Sequence, residues 1–506
     1  MRSDVRVLPE DQHNKVLLEN VHPADWENPE PAQHYNLVVL GAGTAGLVSA
    51  AAAAGLGARV ALIEKHLMGG DCLNVGCVPS KALIQSSRVR AGIQKATEFG
   101  IEPSAESRVD FPAVMERLRR LRAGISHHDS VQRFSSLGID LFLGEGRFVN
   151  RNVIEVDGKQ LRFKKAVIAT GARPAVPPIP GLAEAGYLTS ETVFSLTEQP
   201  SSLLVIGGGP IGCELAQAFC RLGSKVTLVE AGPQFLARED PDAAAVLEQS
   251  IRNDGVDLQL ATRVARFESE NGKRVAYVEK DGREEKLDTE EILLGVGRIP
   301  NVQGLQLERA GVDYDNKRGV HVDDRLRTTN PRIFAAGDIS LDHKFTHTAD
   351  AAARIVIQNA LFLGRRKTSS LTVPWCTYTS PEIAHVGLYE RDAKKQGIEM
   401  TTFKILFSEV DRAVLDGMKE GFVKIHVKKG GDEILGATIV ADHAGDMISE
   451  ITLAMVAGVG LGKIANVIHP YPTQAEAIRK AADAYNRTRL TPFVKTLFEK
   501  WLSWQR

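Results

Sequence analysis

The chain of 506 residues is short of several things, and each shortage excludes something. Five cysteines are too few for a secreted disulfide framework. Lys+Arg 62 against Asp+Glu 63 leaves a net charge of −1, so no basic nucleic-acid surface is expected. Long apolar runs are missing: the most apolar stretches, 47–62 and 451–459, are short or broken by glycine and arginine, and neither makes a membrane span. The N-terminal residues have no basic region followed by an apolar core, so no secretory signal is expected and the cytoplasm is the expected compartment. What is present is ordinary globular material: 43% hydrophobic residues and enough length for three or four domains.

Within that composition, 35–40 (Tyr-Asn-Leu-Val-Val-Leu) is a short apolar run and reads as a buried strand. Gly41-Ala42-Gly43-Thr44-Ala45-Gly46 follows, then an Ala-rich helix over 47–56 and a second strand over 59–63. Glu64 ends that strand, 18 residues after Gly46. Strand, glycines, helix, strand and acid together form a dinucleotide-binding unit. The glycines permit a tight turn and close approach to the pyrophosphate, the helix N-terminus faces its charge, and the acid takes the ribose hydroxyl. The unit recurs: 203–206 leads to Gly207-Gly208-Gly209-Pro210-Ile211-Gly212, a helix, a strand over 225–229, and Glu230, again 18 residues after the third glycine. Two units imply two nucleotides. Ala169-Thr170-Gly171-Ala172-Arg173-Pro174, Gly295-Val296-Gly297-Arg298-Ile299-Pro300-Asn301 and Ala336-Gly337-Asp338 are ordered around them.

Directly after the first unit comes Cys72-Leu73-Asn74-Val75-Gly76-Cys77. On an ideal helix this offset leaves the Cα atoms roughly 8–9 Å apart, whereas a disulfide needs about 4.4–6.8 Å. If the sulfurs pair, the chain between them is distorted, and Gly76 supplies the freedom. Lys81 and the apolar residues after it read as a helix, and a cysteine near a helix start has a lowered thiolate pKa. Cys213, Cys220 and Cys376 read as core residues.

In combination these segments resemble the class I pyridine nucleotide–disulfide oxidoreductases over residues from about 34 to 482. That family includes dihydrolipoamide dehydrogenase, glutathione reductase and mercuric reductase. The resemblance implies an α/β fold with two Rossmann-like dinucleotide-binding domains, for FAD and NAD(P), plus a C-terminal α+β dimerisation domain. It places FAD at Gly41, Gly43, Gly46 and Glu64, with Thr170, Gly171 and Asp338, the last on the ribityl chain. It places the nicotinamide nucleotide at Gly207, Gly209, Gly212, Glu230 and Gly297. Cys77 becomes the charge-transfer thiol beside the flavin and Cys72 the interchange thiol. Lys81 lies near the flavin with Glu214 as its ion-pair partner. A homodimer is implied, each C-terminal domain completing the partner's active site. No resident metal is implied.

The C-terminal third departs from the disulfide reductases. They carry a His-Pro-Thr-x-x-x-Glu-like element, in which the histidine protonates the leaving thiol and the carboxylate orients it. Here the segment reads His469-Pro470-Tyr471-Pro472-Thr473-Gln474-Ala475-Glu476. Aligning Thr473 and Glu476 puts Tyr471 in the histidine's place, and a phenol with a pKa of about 10 is a poor shuttle at neutral pH. His469 reads as a turn histidine. A tyrosine there is similar to mercuric reductase, which brings a soft metal ion to its thiolates. Yet the tail over 491–506 holds no cysteine pair to hand over the metal, and no N-terminal metal-binding cysteine pair is present.

The organisation expected is an N-terminal extension over 1–33, read as a loose arm, and an FAD-binding part over 34–185. An NAD(P)-binding domain over 186–312, a second FAD-binding or central part over 313–365 and a dimerisation domain over 366–482 follow. Residues 483–506 form an amphipathic tail, with Val494, Leu497, Phe498, Trp501 and Leu502 on one face. The tail is expected to pack on its own domain or its dimer partner, with peripheral membrane contact the alternative. The reading is an FAD enzyme, NADH preferred over NADPH, that passes electrons through Cys72 and Cys77 to a metal ion or small acceptor. Dihydrolipoamide dehydrogenase is the alternative within the class. An FAD-binding scaffold or membrane-associated protein with little turnover is the alternative outside it.

Overall fold

The computed structural model describes residues 5–104, 107–270 and 273–506. They group into two compact units, Met1–Pro233 with Val256–Leu371, and Gln234–Gly255 with Thr372–Arg506.

In the first unit the strand Tyr35–Leu40 lies between Val60–Glu64 and Lys159–Ile168, parallel to both. Ile139–Leu143 extends the sheet beyond Val60–Glu64, and Ile333–Ala335 pairs in parallel with Lys159–Ile168. Val153–Val156 and Gly146–Asn150 continue it as an antiparallel flap. Gly41, Ala169 and Ala336 therefore all follow the C-terminal ends of parallel strands, where open α/β sheets bind their ligands. A second parallel sheet has the order Asp257–Gln259, Lys225–Val229, Ser202–Ile206, Glu291–Leu294, next to the antiparallel meander Arg263–Glu270, Lys273–Lys280, Arg283–Thr289.

Both fingerprint helices begin earlier than the apolar pattern suggests. The first spans Thr44–Gly55 and the second Pro210–Leu222, so the third glycine of each lies in the first turn. The reason is close packing: a Cβ on Gly46 would lie 1.8 Å from the Gly41 carbonyl oxygen, and one on Gly212 2.0 Å from that of Gly207. Likewise the redox helix spans Cys77–Gln94, starting four residues before Lys81. Pro79 sits in its first turn, where the N–H it lacks has no helical acceptor.

The N-terminal extension is not a loose arm. Gln12–Val21 is a helix capped by Asp11, whose side chain accepts from the Asn14 amide, and Leu17 and Val21 are fully buried. They pack in the same core as Leu37, Leu62 and Ala50. Burial of each such side chain contributes about 1.5–3 kcal/mol, enough to hold a short helix in place. Trp26 and Asn28 then bond the backbone of Leu141 and Leu143, running the chain along the edge strand.

The second unit is a five-stranded antiparallel sheet in the order Pro374–Thr377, Glu382–Gly387, Ile434–Ala441, Phe422–Lys428, Met400–Leu406. Helices Ala444–Val456 and Glu476–Thr488 cover it, burying Ile448, Ile451, Ile478 and Ala481. The helix Pro241–Asn253 belongs to this unit although its neighbours in sequence form the second parallel sheet. Glu239 anchors it, accepting from Trp375 Nε1 at 2.8 Å and from the Tyr389 hydroxyl at 2.6 Å, while Lys424 binds Asp240 at 2.9 Å. The helix Glu476–Thr488 runs through the expected boundary at 482, and the tail is a separate helix, Pro492–Trp504, that buries none of its residues. Packing of the tail on its own domain is thus not what this chain shows.

Candidate active site

The two nucleotide cradles are copies of each other. Glu64 Oε2 accepts from the Ala42 amide at 2.6 Å and Oε1 from that of His66 at 2.8 Å. Glu230 Oε2 accepts from the Gly208 amide at 2.7 Å and Oε1 from that of Gly232 at 2.7 Å. Each acid is thereby fixed beside the glycine turn. Burial pushes the Glu64 carboxyl up, against the two amides that favour its charged form. Gly43 and Gly209 are the N-caps of the fingerprint helices and bring no side chain to their first turns. First-turn amides without a side-chain cap suit an anion.

Thr170 and Gly171 are bolted to the Gly297 segment. Thr170 donates to the Asn301 carbonyl at 3.0 Å, the Asn301 side chain donates to the Thr170 carbonyl at 2.9 Å, and the Asn301 amide donates to that of Gly171 at 3.0 Å. Arg298 reaches Asp71 and, through Nε at 3.4 Å, Asp338. Burial raises the Asp338 carboxyl, and Arg298 opposes this. Glycine turns, uncapped helix starts and an acid after a third strand end fit one dinucleotide at the first cradle and a second at the other.

Cys72 lies at the centre of the short helix Gly70–Asn74 and Cys77 opens the redox helix; both are free thiols. Gly76 lets the chain turn between them: a Cβ there would lie 2.7 Å from the Asp71 carbonyl oxygen. The two sulfurs are not equivalent. The hydrogen bond from the Cys72 thiol, with the Thr346 hydroxyl and the Lys81 charge, lowers the Cys77 thiol to about 6 against burial and Glu214. The same bond, with burial, raises Cys72. Of the two sulfurs, Cys77 is the one its surroundings favour as thiolate. Lys81 Nζ meets Glu214 Oε2 at 2.8 Å, with Glu214 on the helix of the second fingerprint and almost fully buried. Thr346, 3.5 Å from Cys77 Sγ at the start of the helix Thr346–Leu361, carries no sequence signal. It lies 269 residues from the cysteine it touches, and only the fold brings it there.

Tyr471 and Glu476 lie in the second unit. The Tyr471 side chain is largely exposed and its hydroxyl donates to Asp411 Oδ2 at 2.9 Å, which raises the phenol above its ordinary value. His469 Nε2 meets Glu450 Oε1 at 3.0 Å, its Nδ1 meets the Val467 carbonyl at 3.1 Å, and its side chain is 6% exposed. Both ring nitrogens are occupied. Glu476 is buried, with Oε1 on Arg479 at 3.3 Å and Oε2 lacking a partner among the described residues. Around this segment Leu453, Val456 and Ile468 are exposed in the single chain, an apolar surface of the sort a dimer covers.

The family described as pyridine nucleotide-disulphide oxidoreductase matches residues 35–354, and its dimerisation domain matches 373–482. The chain belongs to this family. As a pyridine nucleotide–disulphide oxidoreductase it is an FAD-dependent enzyme of reduced or oxidised nicotinamide, built to dimerise. A mercuric reductase of Bacillus cereus is 35% identical over 460 residues, 91% of this chain and 73% of that one. A dihydrolipoyl dehydrogenase of Geobacillus stearothermophilus is 34% identical over 460 residues, 88% of this chain and 95% of that one. Among solved structures, LpdA from Mycobacterium tuberculosis superposes with a TM-score of 0.81 at 28% identity, covering 90% of this chain and 100% of that one. RclA from Escherichia coli, an HOCl-induced flavoprotein disulfide reductase, does so with a TM-score of 0.79 at 29% identity, covering 88% and 99%. Among the described residues no helix is long and apolar enough to cross a membrane, and no group of three or more His, Cys, Asp or Glu side chains could hold a metal.

Proposed function

We propose that this oxidoreductase takes two electrons from NADH and delivers them through the Cys72–Cys77 pair to a soft metal ion or small electrophilic acceptor, in the manner of a mercuric reductase. Bound FAD supplies the relay of two electrons between nicotinamide and the cysteine pair. The chain's own residues do the rest. Lys81 and Glu214 fix the redox helix to the second fingerprint helix. Cys77 holds a thiolate at neutral pH, and Cys72, freed as the second thiol on reduction, meets the acceptor. Glu64 and Asp338 hold FAD, and Glu230 the nicotinamide nucleotide.

The observation that carries the choice of acceptor is Tyr471. Its phenol stays protonated against Asp411, and the neighbouring His469 is tied to Glu450. Cleavage of a substrate disulfide needs a group that exchanges protons near neutral pH; delivery of electrons to a thiolate-bound metal does not. Mercuric reductases are among the relatives, and a Cu(II) complex of RclA has been solved. The test is nicotinamide oxidation by purified protein offered mercury(II), lipoamide, oxidised glutathione or a quinone, with mercury(II) expected to give the highest turnover. The cytoplasm, which supplies reduced nicotinamide, is the proposed site.

NADH is the proposed donor. Glu230 presents a carboxylate where the ribose 2′-hydroxyl binds and a 2′-phosphate is repelled, and Ala231, Gly232 and Pro233 offer no cation. The kcat/KM for NADH should exceed that for NADPH, and Glu230→Ala should narrow the gap. An NADPH preference of about tenfold, roughly 1.4 kcal/mol, would reverse the argument.

The tail helix is proposed to lie on an anionic lipid surface. Phe493, Leu497, Phe498, Trp501, Leu502 and Trp504 are at least half exposed along it, and Lys495, Lys500 and Arg506 supply the charge. Vesicles of phosphatidylglycerol should sediment the protein and phosphatidylcholine vesicles should not, with Trp501→Asp abolishing the difference. Equal recovery on both lipids, or none on either, would end the proposal.

A further inference from the structure

The family match begins at residue 35, yet the residues before it reach the redox centre. Arg122, on the helix Phe111–Ser126, donates through Nη1 to the backbone carbonyl of Asn74 at 2.6 Å, between the two cysteines. Through Nη2 it donates to Asn14 Oδ1 at 2.6 Å. Asn14 is itself held twice: its side chain donates to the Pro9 carbonyl at 2.7 Å and its amide to Asp11 Oδ1 at 2.8 Å. Asp11 in turn pairs with Arg119, one turn before Arg122. From its own side Asn74 donates to the carbonyls of Met68 at 2.9 Å and Gly70 at 2.8 Å. Asn14, Arg122, Asn74 and Arg119 are 1%, 3%, 4% and 7% exposed, so the Arg122 bonds to Asn74 and Asn14 are shielded from water.

We propose that the N-terminal extension is a brace for the redox loop, with Asn14 and Arg122 as positioning residues that hold Asn74, and through it the spacing of Cys72 and Cys77. Arg122 bridges Asn14, on the helix Gln12–Val21, to the last carbonyl of the short helix Gly70–Asn74 that carries Cys72, and both acceptors of its two bonds are neutral oxygens. Burial lowers its guanidinium to about 10, so it remains charged at neutral pH. Holding a buried charge against two neutral oxygens is costly unless both stay in place. The loop and the extension are therefore coupled: movement of Pro9–Asn14 removes the support on which Asn74 rests.

The thiolate reads this coupling. The groups facing Cys77 are Cys72, Thr346, Lys81 and Glu214, and the Cys72 bond is the largest contribution to its lowered pKa. A displaced loop weakens that bond first. The inference rests on the Cys77 assignment above, and the experiment separates the two. Holoenzyme carrying Arg122→Met, Arg122→Lys, Asn14→Ala or Asn28→Ala is reduced by two electrons. Two quantities are titrated against pH: the long-wavelength thiolate–flavin absorbance and the rate of alkylation by iodoacetamide. Thermal unfolding is followed in parallel. Arg122→Met and Asn14→Ala should raise both midpoints by about one pH unit or more. Arg122→Lys, which keeps a charged donor, should raise them less. Asn28→Ala is the control, because Asn28 ties the same extension to Leu143. It should lower the melting temperature and leave the midpoints alone. Wild-type midpoints in Arg122→Met and Asn14→Ala, or an equal shift in Asn28→Ala, would overturn the brace. Should Arg122→Met fail to fold, Asn14→Ala and Arg122→Lys decide. Absence of the absorbance band in wild type would refute the Cys77 assignment alone, since the alkylation midpoint still judges the brace.

Discussion

Cys77→Ser should abolish the long-wavelength absorbance of the two-electron-reduced protein and cut turnover by on the order of 10³-fold or more, while FAD stays bound. The absorbance requires a thiolate beside the flavin, and Cys77 is the sulfur held ionised, with a pKa of about 6. Serine cannot ionise at neutral pH and cannot form the disulfide that receives the electrons. The fold should tolerate the change: Cys77 is the first residue of its helix, and serine replaces only its sulfur by a smaller oxygen. The glycine turn, Glu64 and Asp338, proposed to hold FAD, lie on other elements. Cys72→Ser should behave differently, keeping the absorbance while losing turnover, because the hydroxyl still donates to the Cys77 thiolate. In wild type the band should be present above pH 6 and fade as pH falls through the Cys77 pKa, where the thiolate takes up a proton. If Cys77→Ser keeps the band and Cys72→Ser loses it, the two roles are exchanged.

Tyr471→His should raise lipoamide reduction, toward the roughly 10²–10⁴-fold that positioned acid–base catalysis contributes. The hydrogen bond to Asp411 holds the phenol protonated, further from neutral pH than an ordinary tyrosine. A histidine near its usual value of about 6.5 would take and return a proton in the working range. Glu476, which keeps a buried carboxylate oxygen with no partner among the described residues, is proposed to orient it. His469 does not substitute, since both of its ring nitrogens are engaged. Mercury(II) turnover should not rise in the same variant. Steady-state kcat/KM on lipoamide and on mercury(II) for wild type and variant checks both halves, and a wild type already fast on lipoamide would remove the basis for the substitution.

What could be read from the sequence is what is local. Each fingerprint occupies no more than thirty residues, its turn forced by glycines whose Cβ would strike a carbonyl. The cysteine segment is contiguous, and Tyr471 stands out because its neighbours Thr473 and Glu476 fix the register. Pro79 lies in the first turn of the redox helix, where a proline, elsewhere a break signal, is harmless. The N-terminal helix did have a signal, the cap at Asp11 with Leu17 and Val21 four apart, but polar residues and prolines around it read as loop. The contacts that tune the thiolate had none. Thr346 is 269 residues from Cys77, and Arg122 is 48 from Asn74 and 108 from Asn14. Such pairs become visible only once helices from distant segments pack. The tail pattern predicted a helix with an apolar face, and that much formed; which surface covers the face is not written in the helix itself.

The central claim is that electrons leave the Cys72–Cys77 pair for a soft metal ion and not for a substrate disulfide. Its most direct test is anaerobic turnover with excess NADH, following nicotinamide oxidation together with mercury vapour, and then the same protein with lipoamide. NADH and a mercury(II) ion each exchange two electrons. The account therefore predicts one atom of elemental mercury released per NADH consumed, with a kcat/KM on lipoamide lower by about 100-fold or more. Rapid lipoamide reduction, with mercury(II) binding the thiols as an inhibitor and no vapour formed, would contradict it.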